Sequence, residues 1–240
     1  MEDQYTRTRM LLGDDAVRRL ADAKVAVFGI GGVGGYVVEV LARSGVGTID
    51  LVDNDTVNVT NINRQIIALH STIGMAKVEV AERRIKDINP CCNVTTYRMF
   101  YLPDNADAID LAKYDYVVDC IDTVVAKIEL IRRCKALGVP VICSMGTANK
   151  MSATLFRVAD INQTSVDPLA KILRKKLRHI GIEHVKVVFS TEEPMKPHSE
   201  YEPEGSRTSR RPTPASNAFV PAAAGLIIGG EVVKELICLK

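Results

Sequence analysis

Glycines and a few polar residues in the first half of the chain have the spacing needed to hold a phosphorylated ligand. Gly29, Gly31 and Gly34 stand at G-x-G-x-x-G spacing, with Gly32 between them. Such glycines let the backbone approach a phosphate closely, and the helix they open supplies unpaired amides and a partial positive charge. Asp53 follows at the end of the next apolar run, where a carboxylate can accept both hydroxyls of a ribose. On these residues alone NAD is the leading ligand. The plain structural alternative is a glycine turn that serves only tight packing of strand on helix.

The residues that follow change the ligand. The run Asp53-Asn54-Asp55-Thr56-Val57, continued by Asn61-Ile62-Asn63-Arg64-Gln65 and then Lys77, resembles the adenylation core of the ThiF and MoeB superfamily, to which the ubiquitin-activating enzymes also belong. The resemblance implies an ATP site in which Gly29, Gly31, Gly32, Gly34, Asp53, Asp55 and Asn61 shape the nucleotide pocket. Arg64 and Lys77 would clamp the polyphosphate, a need that a dehydrogenase, which leaves its pyrophosphate intact, does not have. It also implies that Asp122, in Asp119-Cys120-Ile121-Asp122, helps hold Mg²⁺, a role suited to a carboxylate just past a parallel strand. Arg7 resembles the arginine that superfamily members lend to the neighbouring subunit's ATP, so a homodimer is expected. Surface salt bridges for Arg7 and Arg64 and a solvated helix face for Lys77 are the bland alternatives.

The likeness extends over most of the chain. Residues 25–90, Phe189-Ser190-Thr191-Glu192 and Ala215-Ser216-Asn217-Ala218-Phe219 look most like the tRNA threonylcarbamoyladenosine dehydratases, the TcdA branch. That branch implies adenylation of a threonylcarbamoyl carboxylate beside the anticodon of tRNA, followed by intramolecular ring closure that expels AMP. Adenylation of the C-terminus of a ubiquitin-like sulfur-carrier protein, with a sulfur-transfer partner, is the second reading. A non-catalytic nucleotide-binding or NAD-sensing module is the third. The sequence has no C-x-x-C pair, so the structural zinc of many relatives is not expected. Residues 191–217 contain no cysteine, which argues against covalent transfer of a ubiquitin-like protein.

These residues need a scaffold to position them. Runs 24–28, 48–52, 93–98, 115–120 and 139–143 read as strands, and residues 36–44, 74–89, 106–113 and 123–137 as helices between them. This alternation predicts an α/β, Rossmann-like doubly wound sheet, mostly parallel, in a single domain over residues 1–240. A strand-helix-strand extension follows, with strands at 153–158 and 185–190 and a helix capped by Asp167 and started by Pro168. Residues 191–217, with five prolines, form a long surface loop, and an apolar helix spans 219–237.

Composition adds little about partners. The chain has 240 residues, a net charge of +2 and six cysteines without regular spacing, so a reduced, cytoplasmic protein is expected. The apolar run after Ala218 ends at Gly230 and is too short to span a bilayer, which needs about 20 apolar residues. Cys120 and Cys143 read as buried thiols, and Cys238 has no evident base. The four histidines show no metal spacing. An RNA substrate needs a local basic patch: Lys171, Arg174, Lys175, Lys176 and Arg178, with Arg207, Arg210 and Arg211, are candidates, and Tyr201 and Phe219 could stack on bases. The plain alternative is a helix face kept soluble by its charges.

Overall fold

The structure is a computed structural model and describes residues 3–198 and 214–239. Short β-branched runs form β1 (Lys24–Phe28), β2 (Thr48–Val52), β3 (Asn93–Tyr97), β4 (Tyr116–Asp119) and β5 (Val141–Ser144). With β6 (Phe156–Asp160) and β7 (Lys186–Ser190) they make one seven-stranded sheet in the order β3-β2-β1-β4-β5-β7-β6. Every pairing is parallel except β6 with β7, so the extension returns along the edge as an antiparallel strand. The chain winds outward from β1 to β3, then crosses back to β4 beside β1. A doubly wound sheet opens a crevice at such a reversal, outside the carboxyl ends of the strands.

Helices cover both faces. Val25 and Val27 of β1 point into a core shared with α3 (Gly34–Ser44), α4 (Lys77–Ile88) and α7 (Val220–Leu236). Ala26 and Phe28 point the other way, towards α5 (Val124–Leu137) and α6 (Pro168–His179). Strictly alternating side chains thus feed two cores from one strand. Two helices that the periodicity did not reveal precede the sheet: α1 (Thr6–Leu12), which buries nothing, and α2 (Asp14–Asp22), which buries Ala16, Val17 and Leu20.

Several expected elements shift. No continuous helix forms over 106–113; two 3-10 turns, Pro103–Ala108 and Leu111–Lys113, flank an extended Ile109. The Asn105 side chain accepts from the Leu102 amide and Asp110 from the Ala112 amide, local bonds that compete with helix propagation. Helix α4 starts at Lys77, three residues later than expected, because 74–76 pair with 55–57: the Val57 amide donates to Met75 and the Lys77 amide to Asp55. The extension strand begins at Phe156 and not at 153. Helix α7 spends its apolar side inside this chain. Gly225 lies against the Val33 carbonyl and Tyr36, and Gly229 against Val40, so a side chain at either glycine would collide with α3. No helix among the described residues is long and apolar enough to cross a membrane.

Candidate active site

The crevice at the β1/β4 reversal is a cavity of about 500 Å³. Its floor is the glycine turn, where each glycine answers a different need. Gly29 has φ +87°, and a Cβ there would meet the Cys120 carbonyl oxygen at 2.7 Å. Gly34 sits on the Gly29 carbonyl with no room for a side chain. Gly31 has only the Gln65 amide nearby, 3.9 Å from where its Cβ would be, so its missing side chain leaves open space for a ligand. Gly29 and Gly34 therefore make the turn, and Gly31 with Gly32 opens it to the cavity.

At the end of β2, Asp53 accepts from the Ile30 amide at 2.6 Å and the Asp55 amide at 2.8 Å. Burial raises the Asp53 pKa from the usual carboxylate value, against the opposing pull of the Lys77 charge and those two amides. Each oxygen keeps a free lone pair for a ribose hydroxyl. Asp55 holds the Lys77 ammonium at 2.7 Å; the lysine side chain is 6% exposed and the aspartate 62%. Lys77 is also the first residue of α4, so ammonium and helix N-terminus present positive charge together.

Asn61 is buried in the 3-10 turn Val59–Asn61 and completes a capping box with Asn58. Arg64, three residues on, donates to the Thr60 carbonyl and the Asn63 side chain, both at 2.9 Å. Desolvation lowers the pKa of its half-buried guanidinium, the mark of a cation short of water and of any carboxylate partner. Neighbouring Gln65 is buried, lines the cavity, and its Oε1 accepts no hydrogen bond from the described residues. In the sequence Gln65 stands out only as the last residue of the Asn61–Gln65 run; its orphaned oxygen is visible only in three dimensions.

β4 ends on Asp119, which is fully buried and paired at 2.9 Å with the equally buried Lys127 of α5. Its other oxygen accepts from the Ile121 amide at 3.1 Å, so the pair fixes the loop that follows. That loop presents Asp122 to the cavity, exposed, with only a 3.4 Å contact from the Thr123 hydroxyl. A carboxylate that lines the cavity has the chemistry to hold Mg²⁺, which binds through one or two carboxylates plus substrate phosphates. Among the described residues no three histidine, cysteine or acidic side chains cluster as a metal site. Burial pushes the Cys120 thiol up to about 12 and the Cys143 thiol well above its ordinary value, so neither is a thiolate near neutral pH.

A further wall was not foreseen. Met145, Gly146, Thr147 and Ala148, after β5, line the cavity together with Pro214, Ser216 and Pro221. Lys150 and Asp167 fasten this wall from behind: they pair at 3.3 Å out of solvent, and Asp167 also accepts from the Gly146 amide and caps α6 through Ala170.

Of the residues expected from the sequence, the cavity gathers Gly29, Gly31, Gly32, Asp53, Asp55, Asn61, Arg64, Lys77 and Asp122. Gly34 packs just beneath it, and Arg7, exposed on α1, does not reach it. The basic surface needs a correction at Arg174. Its guanidinium turns inward to the Ile161 and Thr164 carbonyls and the Thr164 hydroxyl, tying α6 to the segment before it. Arg178 donates to Asn162, while Lys171, Lys175 and Lys176 are exposed. Arg207, Arg210, Arg211 and Tyr201 lie outside the described residues, and Phe219 is part-exposed but does not line the cavity.

Comparison with known proteins gives this geometry relatives. The model of the ThiF family matches residues 5–237. The chain is 45% identical to the tRNA threonylcarbamoyladenosine dehydratase of Bacillus subtilis, over 99% of this chain and 96% of that protein. It is 42% identical to the protein of the same name from Escherichia coli, over 82% and 76%. The crystal structure of E. coli tRNA N6-threonylcarbamoyladenosine dehydratase in complex with ATP superposes with a TM-score of 0.87 at 36% identity, covering 98% of this chain and 94% of that one.

Proposed function

The chain belongs to the ThiF family, and from that premise we propose that it is an ATP-dependent tRNA threonylcarbamoyladenosine dehydratase. The observation that carries this reading is the near full-length similarity to the B. subtilis dehydratase. The cavity explains the chemistry. ATP lies along the glycine turn with its ribose on Asp53, and its phosphates face Lys77, Arg64 and the α4 N-terminus. The threonylcarbamoyl carboxylate attacks the α-phosphorus, pyrophosphate leaves, and an acyl adenylate forms. A nucleophile in the same modified nucleotide then attacks the activated carbonyl, and AMP departs with the carboxylate oxygen. The second step is intramolecular and gains from a high effective concentration, so no enzyme thiolate is needed.

Asp122 would hold Mg²⁺, whose charge offsets that of the phosphates when bound. RNA phosphates meet Lys171, Lys175 and Lys176 on α6, whose first turn adjoins the cavity through Leu169. Arg7 completes the site of a second copy in a homodimer. Met10 and Leu11 on the same helix are 83% and 82% exposed, an apolar face suited to that contact. The compartment is the cytoplasm, where tRNA is found.

ATP–pyrophosphate exchange tests the reading, with threonylcarbamoyl-modified tRNA, unmodified tRNA and no RNA compared. Exchange that requires the modified tRNA is expected. Exchange only on addition of a ubiquitin-like sulfur carrier transfers the activity to a protein carboxylate. Sedimentation at micromolar concentration should give a dimer, and a monomer removes Arg7 from the mechanism.

A further inference from the structure

Asn149 directly follows the wall after β5 and fastens two distant segments to it. Its φ is +59°, in the left-handed region that asparagine tolerates better than most residues. In that conformation its amide donates to the Ala215 carbonyl at 2.8 Å, and its carbonyl accepts from the Met195 amide at 2.7 Å. Its side-chain oxygen accepts from the Ala215 amide at 2.9 Å, so Ala215 is held through both of its backbone polar groups.

Flanking residues extend the fastening. The Glu192 carboxylate takes the Met151 and Ser152 amides, both at 2.8 Å, and the Asn217 side chain donates to the Lys150 carbonyl at 2.7 Å. Ser216 is then within reach of the nucleotide side, where the Asn63 amide donates to its carbonyl at 3.1 Å. Ala148, Pro214 and Ser216, the immediate neighbours of these bonds, line the same cavity as Asp53 and Lys77.

We infer that Asn149 is a positioning residue for the acceptor half of the site: it sets the gap between the 145–148 wall and residues 214–216, through which the carboxylate substrate reaches the α-phosphate. It touches neither reactant. The inference rests on the proposed function for the identity of the acceptor, but the clasp itself is a property of the fold. Backbone geometry and side-chain acceptor are both required, and they can be separated by substitution. Asn149→Val opposes the positive φ, Asn149→Gly keeps the φ and removes the acceptor, and Asn149→Asp keeps both.

The experiment measures KM for modified tRNA and for ATP in the three variants, together with amide hydrogen exchange at Met195 and Ala215. Loss of one or two hydrogen bonds is expected to raise the KM for tRNA about tenfold in N149V and about threefold in N149G. N149D should match the wild type, and the KM for ATP should stay within about twofold in all three. Exchange at Ala215 should quicken in N149V and N149G and stay slow in N149D. An unchanged KM for tRNA in N149V, or an equal rise for ATP, overturns the inference. Unchanged exchange in both N149V and N149G overturns it regardless of substrate. If the wild type turns over no modified tRNA while the exchange pattern holds, the proposed acceptor falls and the clasp stands, and the KM split is then read with the carboxylate that does support pyrophosphate exchange.

Discussion

Two lysine–aspartate pairs flank the same cavity and differ in what surrounds them. Lys77 and Asp55 meet at 2.7 Å, but the aspartate side chain is 62% exposed. Lys127 and Asp119 meet at 2.9 Å with no exposure on either side. Burial alone works against the Lys127 ammonium, yet the facing carboxylate prevails and raises its pKa. A charge sealed in this way cannot change partners, because leaving either ion alone in the interior costs several kcal/mol. Under the proposed function Lys77 would move its charge from Asp55 to an incoming phosphate, since Asp55 falls back on water. One pair is sealed beneath the cavity, and the other stays open to solvent within it.

The sharpest way to break that contrast is Lys77→Ala. Losing a preorganised cation from the phosphate site should lower pyrophosphate release by about 10³-fold, with the melting temperature nearly unchanged. Turnover close to wild type would make Lys77 a structural residue like Lys127. Lys127→Met should do the reverse and reduce unfolding free energy by about 3–5 kcal/mol in urea titration, because Asp119 is left buried and unpaired. Adding Asp119→Asn should restore part of that loss; no recovery would mean that the pair does not act as a unit.

The glycines offer a finer version of the same comparison. Gly31→Ala places a methyl in the open cavity and should weaken ATP binding about tenfold with stability held, as read by calorimetry. Gly34→Ala collides with the Gly29 carbonyl and should instead unfold the protein at lower denaturant. The smallest effects belong to α6. Arg174→Gln, which loses bonds to two carbonyls and a hydroxyl, should cost about 1–2 kcal/mol of stability. Lys171→Gln should leave stability alone and reduce the salt slope of tRNA binding by about 1.

The sequence displayed the nucleotide side because backbone geometry there leaves little choice. Glycine is required where Gly29 meets Cys120 and where Gly34 meets Gly29, and Asp53 through Gln65 form nearly continuous runs. The wall after β5 is built differently: backbone bonds join residues 149, 195 and 215, and the side chains of Asn149, Glu192 and Asn217 bond to backbone that only the fold brings near, so no regular spacing marks them. Arg174 looked solvent-facing by helical period, but a long side chain can curl back onto carbonyls that only the fold brings near. The failed helix at 106–113 had the apolar spacing of a helix, while Asn105 just before it and Asp110 within it carried the opposing signal. Helix α2 was legible in principle, since Asp14 and Asp15 precede Ala16, Val17 and Leu20 on one face.

Helix α7 carries a consequence for how the molecule is made. It follows every strand in chain order, yet it packs along α3, and its Pro221 lies 3.2 Å from where a Cβ of Gly32 would be. Synthesis runs from the N-terminus, so a nascent chain that has emerged only as far as β7 owns all seven strands and the glycine turn but lacks one wall of the cavity and the cover of one core. A ligand that needs this wall of the cavity stabilises the fold fully only once that last helix is in place. The cavity and the core beneath α7 are therefore completed by the same docking step.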